Sequence, residues 1–516
     1  MDFWNSSAIS ITVFLPLVGA AIIALIPKRS EEAARPVALV VSLLGLLLSL
    51  GILATWWFSP ERQAGALAFE LNVPWITAIG ANYHVAIDGI SMPLFVLSYL
   101  LTFLCSVYAL QHIEEPGRPK VFLSLMLLLQ TGMAGTFIAF DLVLFFIFWE
   151  LVLVPMYFMI GVWGGPRREY AAVKFFLYTL FGSVFMLVAF LALYFQSGAQ
   201  TFDIVELTEL GAAGRFAGTF GRLAFLGIFL GFAIKVPMWP FHTWLPDAHT
   251  EAPTIGSVLL AGILLKMGTY GFVRIALPIL PEGSQAFAPL MAVLAVVAII
   301  YGALCCMAQT DLKRLIAFSS VGHMGFVMLG IATLTPTGIN AAIFGMVAHG
   351  VITGMLFFVV GSIKERYHTR AIADIGGGVL QTMPRMGAIL TFVAIASLGL
   401  PGLAGFWGEV FALLAAFNPA PALVDAGYLT LFRVCMVVGA VGTVLTAGYF
   451  LYMLQRVTMG TAPERWKEHH LPDVSAIEVT SWAPLLLLTL GLGVIPALVF
   501  GLTNPDVVAI MAAFSG

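Results

Sequence analysis

Six ionisable side chains lie inside long apolar stretches of the sequence, where bulk water is excluded. They are Glu150, Lys235, Lys266, His323, His349 and Glu409. A charge at the centre of a bilayer costs roughly 2.5–3.5 kcal/mol on insertion scales, so each of these groups needs a reason to be there. Desolvation and neighbouring charges change how readily glutamate and lysine bind a proton, and histidine titrates near neutral pH. A row of such groups joined by water could relay protons.

A purely structural role for these groups is the main alternative. Glu150 and Lys235 could form a buried ion pair that holds two helices together. Buried pairs are weak stabilisers because the cost of desolvation roughly cancels the attraction, and apolar packing would serve as well. Lys266 and Glu409 would also need partners of their own. For His323 and His349 the structural reading stays open, because a lone buried histidine is often simply hydrogen-bonded.

Other kinds of site find little support in the sequence. His242 and His249 flank a short segment that contains Pro246, and no third or fourth ligand accompanies them, which disfavours a metal site. The cysteines, Cys105, Cys305, Cys306 and Cys435, form no C-x-x-C motif. No phosphate-binding loop or nucleophile elbow is present. We therefore expect no metal, no bound cofactor and no redox chemistry on this chain.

The composition indicates that most of this chain, including the segments that hold these groups, is surrounded by lipid. Of the 516 residues, 60% are hydrophobic and only 10% are charged. A soluble domain carries about 25% charged residues, so this chain cannot cover a water-exposed surface. The net charge of -3 offers no basic face for nucleic acid. The stretch 8–26 is long enough to span the bilayer, and the residues before it lack the basic region that opens a cleaved signal peptide.

Apolar segments of about 20 residues predict an all-α integral membrane protein with about fourteen transmembrane helices. The predicted spans are 8–27, 36–57, 91–110, 121–139, 141–163, 171–195, 221–241, 254–275, 287–308, 315–333, 338–362, 387–415, 430–455 and 480–502. They divide the chain into N-terminal helices (1–120), a first five-helix repeat (121–275), a second repeat (287–455), and a C-terminal loop and helix (456–516).

Most of the 24 lysines and arginines lie in loops that follow odd-numbered spans, or at the flanks of those loops. The positive-inside rule places these loops in the cytoplasm. With an even number of spans, both termini are then expected on the outer face of the membrane.

Spans 7 and 12 are interrupted by proline and glycine. Span 7 contains Lys235-Val-Pro237-Met-Trp-Pro240, and span 12 contains Leu398-Gly-Leu-Pro401-Gly402. Proline removes a backbone donor, and glycine adds backbone freedom. The two breaks are five spans apart, which predicts that spans 4–8 and 9–13 form two inverted five-helix repeats. Paired breaks in such a repeat indicate a transport path.

Two long motifs resemble those of a known family. The first begins at Ala233, includes Lys235, Pro237, Pro240-Phe-His-Thr-Trp-Leu-Pro-Asp-Ala-His249 and Pro253, and ends with Lys266-Met-Gly-Thr-Tyr-Gly. The second is Asp311-Leu-Lys-Arg-Leu-Ile-Ala-Phe-Ser-Ser-Val-Gly-His323. Both resemble the antiporter-like membrane-arm subunits of respiratory complex I, over roughly residues 80–460. Three features resemble the subunit M (chain 4) branch of this family: the segment Phe148-Trp149-Glu150, a glutamate at position 409, and the absence of a long lateral helix.

The resemblance implies a proton-translocating subunit of a bacterial NADH:quinone oxidoreductase in the inner (plasma) membrane. Its partners would be other membrane-arm subunits, including sister antiporter-like subunits, with FMN, iron–sulfur clusters and quinone elsewhere in the complex. By this resemblance, Glu150 and Lys235 form a coupling pair, Lys266 is the central relay group and Glu409 is the terminal group toward the outer face. His323 and His349 match intermediate positions.

Three alternatives remain open at this point. A subunit of a multi-subunit cation/proton antiporter or of a membrane-bound hydrogenase would share the motifs around Lys235 and Lys266. A free-standing transporter of a small solute would need a polar binding pocket beyond a proton path. A passive scaffold would have no need for broken helices and buried charges.

Overall fold

A computed structural model of the chain describes residues 2–59, 65–467 and 470–514, and within them the fold is predominantly helical. Twelve helices in these residues are long and apolar enough to cross a membrane. They are Ser6–Leu25, Lys28–Trp57, Pro119–Ile138, Leu142–Trp163, Arg168–Ser197, Gly218–Lys235, Thr254–Ile279, Pro281–Met307, Leu312–Ala332, Pro336–Tyr367, Leu429–Val457 and Ala476–Val494. The prediction of a helical membrane protein is confirmed.

Shorter apolar helices complete the helical bundle. They are Met92–Tyr108, Pro384–Ser397, Gly405–Phe417 and Ala497–Met511. The first of them lies at predicted span 3, and the next two are the halves of predicted span 12. Ala497–Met511 begins inside the last predicted span, 480–502, and continues beyond it as a separate helix. The total of fourteen spans and the inverted repeat stay predictions.

Both predicted interruptions separate two helical segments. The first helix, Gly218–Lys235, ends at Lys235, and the chain becomes helical again at Trp244–Glu251. The second, Pro384–Ser397, ends one residue before the break, and Gly405–Phe417 follows it. Gly399 and Gly402 inside this second break have φ angles of 82° and 91°, which a residue with a side chain rarely adopts.

The helix around Lys266 is wound irregularly. Two π-helical segments, Leu260–Leu264 and Phe272–Ala276, lie on either side of the α-helical segment Leu265–Gly271. A π-turn shifts the hydrogen-bonding register, frees a backbone carbonyl and is frequent at functional sites. Here the Lys266 Nζ donates to the backbone carbonyl of Ala261, which lies in the first π-helical segment. The whole span Thr254–Ile279 is buried inside the chain.

A two-stranded antiparallel hairpin, β1 (Ala68–Ile76) and β2 (Ala81–Ile87), precedes the helix Met92–Tyr108. Apolar spans of about 20 residues, on which the prediction of helices rests, do not reveal it. His84 in β2 anchors this hairpin because its Nδ1 lies 2.5 Å from the Asp203 carboxylate and its Nε2 lies 2.9 Å from Glu70. The hairpin is thereby tied to the loop that follows helix Arg168–Ser197.

The hairpin should be more stable at pH 6 than at pH 9. Burial lowers the pKa of His84, but hydrogen bonds and charges from Asp203 and Glu70 outweigh it, so the pKa is raised overall. A raised pKa adds stability below the ordinary value of about 6.5 that is lost as the pH rises through the folded-state value. Hydrogen exchange of the β2 amides, corrected for intrinsic rates, should show this loss of protection. The same pH dependence in a His84→Asn variant would contradict the assignment to His84.

Candidate functional site

Four of the six predicted groups meet in the interior of the bundle. Lys266, His349, His323 and Glu409 come from four different helices: Leu265–Gly271, Pro336–Tyr367, Leu312–Ala332 and Gly405–Phe417. These helices pack against one another in the interior. The structure therefore assembles one polar row from residues that the sequence scatters over more than a hundred positions.

The row begins with a direct contact between Lys266 and His349. The Nζ of Lys266 lies 2.6 Å from Nδ1 of His349, and both residues are buried. A lysine ammonium can only donate, so the charged form of Lys266 would donate to Nδ1 and leave the imidazole proton on Nε2. This contact lets a proton pass between the two groups without any change in the backbone.

The row continues through His323 and Glu409. The Nδ1 of His323 lies 3.0 Å from Oε1 of Glu409, and its Nε2 lies 3.0 Å from Oγ of Ser397. Ser397 is the last residue of the helix before the second break, and Glu409 follows in the helix after it. The interruption therefore brings a hydroxyl and a carboxylate onto opposite edges of one imidazole ring.

The second break also leaves room for the Glu409 carboxylate. A Cβ atom on Gly399 would lie 3.1 Å from Oε2 of Glu409, closer than most side-chain contacts in proteins. Gly399 also has a positive φ angle. A side chain at this position would therefore both strain the backbone and press on the carboxylate.

Glu150 and Lys235 do not form the buried ion pair that a purely structural role would require. The Oε1 of Glu150 and the Nζ of Lys235 are both buried without a hydrogen-bond partner in the described part of the chain. Instead, Nζ lies 5.0 Å from the centre of the Trp149 ring, a cation–π geometry. Trp149 is fixed in turn because its Nε1 donates to Ser183 Oγ at 3.0 Å. The aromatic ring holds the lysine and leaves its ammonium protons free.

His249 is a buried histidine for which the sequence suggested only a metal-ligand role, and a disfavoured one. Both of its ring nitrogens lack hydrogen-bond partners among the described residues, and its ring stacks on Phe357 with centres 4.7 Å apart. No group of three His, Cys, Asp or Glu residues that could hold a metal is found in residues 2–59, 65–467 and 470–514. Its signal in the sequence was its position in the long motif that also holds Lys235.

One further buried charge has a different character. Arg274 Nη2 contacts both carboxylate oxygens of Asp88 at 2.6 Å, and its Nε donates to the hydroxyl of Tyr270 at 3.1 Å. The guanidinium also lies over the Phe140 ring. A fully paired ion of this kind stabilises one arrangement of helices, whereas the free nitrogens and oxygens of Lys235, Glu150 and Glu409 remain available for proton transfer.

Comparison with known proteins places these residues in a family context. Residues 139–437 match the family described as NADH:quinone oxidoreductase/Mrp antiporter, transmembrane, and residues 38–136 match the amino terminus of NADH-ubiquinone oxidoreductase chain 4. NADH-quinone oxidoreductase subunit M of Rhodobacter capsulatus is 43% identical over 97% of this chain and 95% of its own length. NAD(P)H-quinone oxidoreductase chain 4 1 of Nostoc sp. is 41% identical over 94% of this chain and 88% of its own.

Solved structures show the same fold. A chain of respiratory complex I from Thermus thermophilus with bound NADH superposes with a TM-score of 0.86, at 29% identity, over 98% of this chain and 100% of its own. A chain of the Mrp complex from Dietzia sp. superposes with a TM-score of 0.83, at 22% identity, over 99% and 98% of the two chains. At that lower identity the second similarity concerns the fold alone.

Proposed function

The chain belongs to the NADH:quinone oxidoreductase/Mrp antiporter transmembrane family, and we propose that it works as subunit M, the chain 4-type subunit, of a proton-translocating NADH:quinone oxidoreductase. Relatives that carry the name subunit M share more than nine-tenths of its length. The observation that carries the proposal of proton transfer is the direct contact of Lys266 with His349, buried in the same row as Glu409.

The chemistry of the row favours protons as the translocated ion. Lysine and histidine nitrogens bind and release protons, whereas a sodium site would need several oxygen ligands. The row offers one carboxylate, at Glu409, beside three nitrogen-bearing side chains, at Lys266, His323 and His349. Such a set can pass a proton from group to group but cannot surround a hard metal cation.

We propose the following sequence of steps. A change of charge near Glu150 alters how strongly Lys235 holds its proton, and this charge change is passed to Lys266. Lys266 then gives a proton to His349, and the proton reaches Glu409, from which it leaves toward the outer face. Moving one charge against 100 mV requires about 2.3 kcal/mol, so quinone reduction elsewhere in the complex must drive the cycle.

The chain itself is proposed to hold no cofactor and to carry out no redox chemistry. The FMN, iron–sulfur clusters and quinone of such an enzyme would reside elsewhere in the complex, and the partners of this chain would be other membrane-arm subunits, including sister antiporter-like subunits. We also propose that predicted spans 4–8 and 9–13 form two inverted five-helix repeats, and that both termini lie on the outer side of the bacterial inner membrane.

Exchanging Glu150 for glutamine should lower NADH-driven proton pumping about tenfold in the assembled complex, which corresponds to about 1.4 kcal/mol. Glutamine keeps the shape of the side chain but removes the charge that acts on Lys235. Glu150→Asp should be milder because it preserves the charge. Pumping is measured in membrane vesicles and normalised to the amount of complex. Full pumping and full quinone reduction by Glu150→Gln would exclude a coupling role.

A multi-subunit cation/proton antiporter or a membrane-bound hydrogenase is the second candidate, because the Mrp chain from Dietzia shares the fold. Purification of the tagged chain from its native membrane separates the two. We expect it to copurify with NADH:quinone oxidoreductase activity and the other membrane-arm subunits. Copurification with antiporter or hydrogenase subunits, and without NADH oxidation, would overturn the proposal.

A further inference from the structure

Thr353 lacks the hydrogen bond within its own helix that several other buried threonines of this protein make. In a helix interior, threonine commonly donates its hydroxyl to the carbonyl four residues earlier. Thr136, Thr446 and Thr489 all do so, at 2.8, 3.0 and 2.8 Å. Thr353 lies in the helix Pro336–Tyr367 and is 1% exposed, yet its hydroxyl has no hydrogen-bond partner among the described residues.

The Thr353 side chain lines a small cavity beside the polar row. The cavity has a volume of about 30 Å³, and His349 and Glu409 also line it. Two further buried atoms lack partners in the described chain, the Nε2 of His349 and the Oε2 of Glu409. A water needs about 10–15 Å³ and two to four polar partners, and buried polar groups are rarely left unpaired. This cavity provides the space and three unsatisfied groups.

We propose that this cavity is an ordered water site held by the Thr353 hydroxyl, and that its water carries the proton directly from His349 to Glu409. The inference rests on the proposed function and adds a residue and a route to it. Thr353 is a positioning residue in this scheme, because it orients the water and does not itself change its protonation.

The proton transfer through this water balances without any further reactant. The water accepts hydrogen bonds from Nε2–H of His349 and from the Thr353 hydroxyl, and it donates to Oε2 of Glu409. The water takes the Nε2 proton while it releases one of its own to the carboxylate, and Lys266 delivers its Nζ proton to Nδ1 of His349. Lys266 ends neutral, His349 ends as its other tautomer, and Glu409 ends as the neutral acid.

This route gives His323 a different role from the one that its position in the row suggests. The ring centres of His323 and His349 are 5.8 Å apart, and Nε2 of His349 makes no hydrogen bond to His323. Ser397 and Glu409 occupy the two nitrogens of His323. His323 thus holds the Glu409 carboxylate in place, while the water reaches its second oxygen.

The test compares Thr353→Val with Thr353→Ser in the assembled complex, with Thr446→Val as the control. Valine keeps the shape of threonine but removes the hydroxyl, whereas serine keeps the hydroxyl. The hydroxyl of Thr446 already donates to the Gly442 carbonyl in its own helix, so its removal should not affect a water site. Two readouts are needed: water density in high-resolution cryo-EM maps, and NADH-driven proton pumping per assembled complex in vesicles.

We expect water density between Thr353, His349 and Glu409 in the parent and Thr353→Ser maps, and its loss in Thr353→Val. Pumping by Thr353→Val should fall about fivefold, the effect of one lost hydrogen bond, while both other variants pump like the parent. An empty cavity in the parent map, or parental pumping by Thr353→Val, would overturn the inference. If Thr353→Val does not assemble, the parent map decides. Full pumping by Glu409→Gln would overturn both the inference and the exit of the proton through Glu409, whereas parental pumping by Thr353→Val together with a loss in Glu409→Gln would overturn the inference alone.

Discussion

Substitution of Lys235 by arginine is expected to leave the complex assembled while NADH-driven proton pumping falls roughly 100-fold, the lower end of the range for losing an acid–base group. Lys235 Nζ lies over the Trp149 ring with no hydrogen-bond partner among the described residues. Arginine can keep the same cation–π contact because its guanidinium stacks well on aromatic faces. It holds its proton at any accessible pH, so only the ability to release a proton is removed. Pumping is measured in membrane vesicles and normalised to assembled complex.

Two further variants sharpen the test of Lys235. Lys235→Ala should pump as poorly as Lys235→Arg, because both lack a titratable group. Lys174→Arg is the matched control, since Lys174 forms a salt bridge to Asp247 at 2.7 Å and needs only its charge. If Lys235→Arg pumps like the parent while Lys235→Ala fails to assemble, Lys235 serves as a structural cation and not as a proton carrier.

Replacement of Glu409 by glutamine is the second change with a large expected effect, again a loss of pumping of roughly 100-fold. A glutamine carbonyl can still accept the hydrogen bond from Nδ1 of His323, which lies 3.0 Å from Oε1. The amide cannot bind and release the proton, so the row would lose its outer member with little change in packing. The readout is the rate of vesicle acidification per assembled complex.

The control for Glu409 is Glu282→Gln, because Glu282 pairs with Arg222 at 3.1 Å on an exposed surface where charge contributes little. This variant should pump like the parent. Parental pumping by Glu409→Gln would show that the proton leaves the chain by another group, even if Lys235 behaves as expected.

The sequence is informative about where charges lie along the chain. A charge in an apolar span is costly, so Glu150, Lys235, Lys266 and Glu409 stand out from the sequence alone. The breaks after Lys235 and after Ser397 are also readable, because several prolines and glycines lie close together there, whereas single prolines such as Pro16 and Pro289 lie inside helices. These properties are local, and a single segment is enough to reveal them.

The sequence cannot show which of these groups meet. The contact between Lys266 and His349 joins two helices, and no pattern in either one specifies the other as its neighbour. The π-turns around Lys266 arise from packing within the bundle, and a helical hydrophobic pattern does not distinguish them from α-helix. For the same reason, only the three-dimensional structure reveals that Trp149, in place of a close carboxylate, lies beneath Lys235.

The hairpin of β1 and β2 escapes prediction for a different reason. It lies between two apolar spans in a segment too short and too polar to count as a span, although Phe69, Leu71, Val73 and Trp75 alternate with Glu70, Asn72 and Pro74 in the pattern of a strand. The alternation indicates a strand but does not indicate what the hairpin contacts. The contact of His84, in the middle of β2, with Asp203 lies far along the chain and is visible only in the structure.

The most direct test of a proton path through the buried row is the initial rate of NADH-driven proton pumping by sealed vesicles that contain equal amounts of assembled complex. The parent, Lys235→Arg and Glu409→Gln are compared side by side, with Lys174→Arg and Glu282→Gln as controls. Proton relay through Lys235 and Glu409 predicts that both variants lose roughly 100-fold in rate while both controls match the parent. Parental rates in both Lys235→Arg and Glu409→Gln would show that protons cross the membrane without this row.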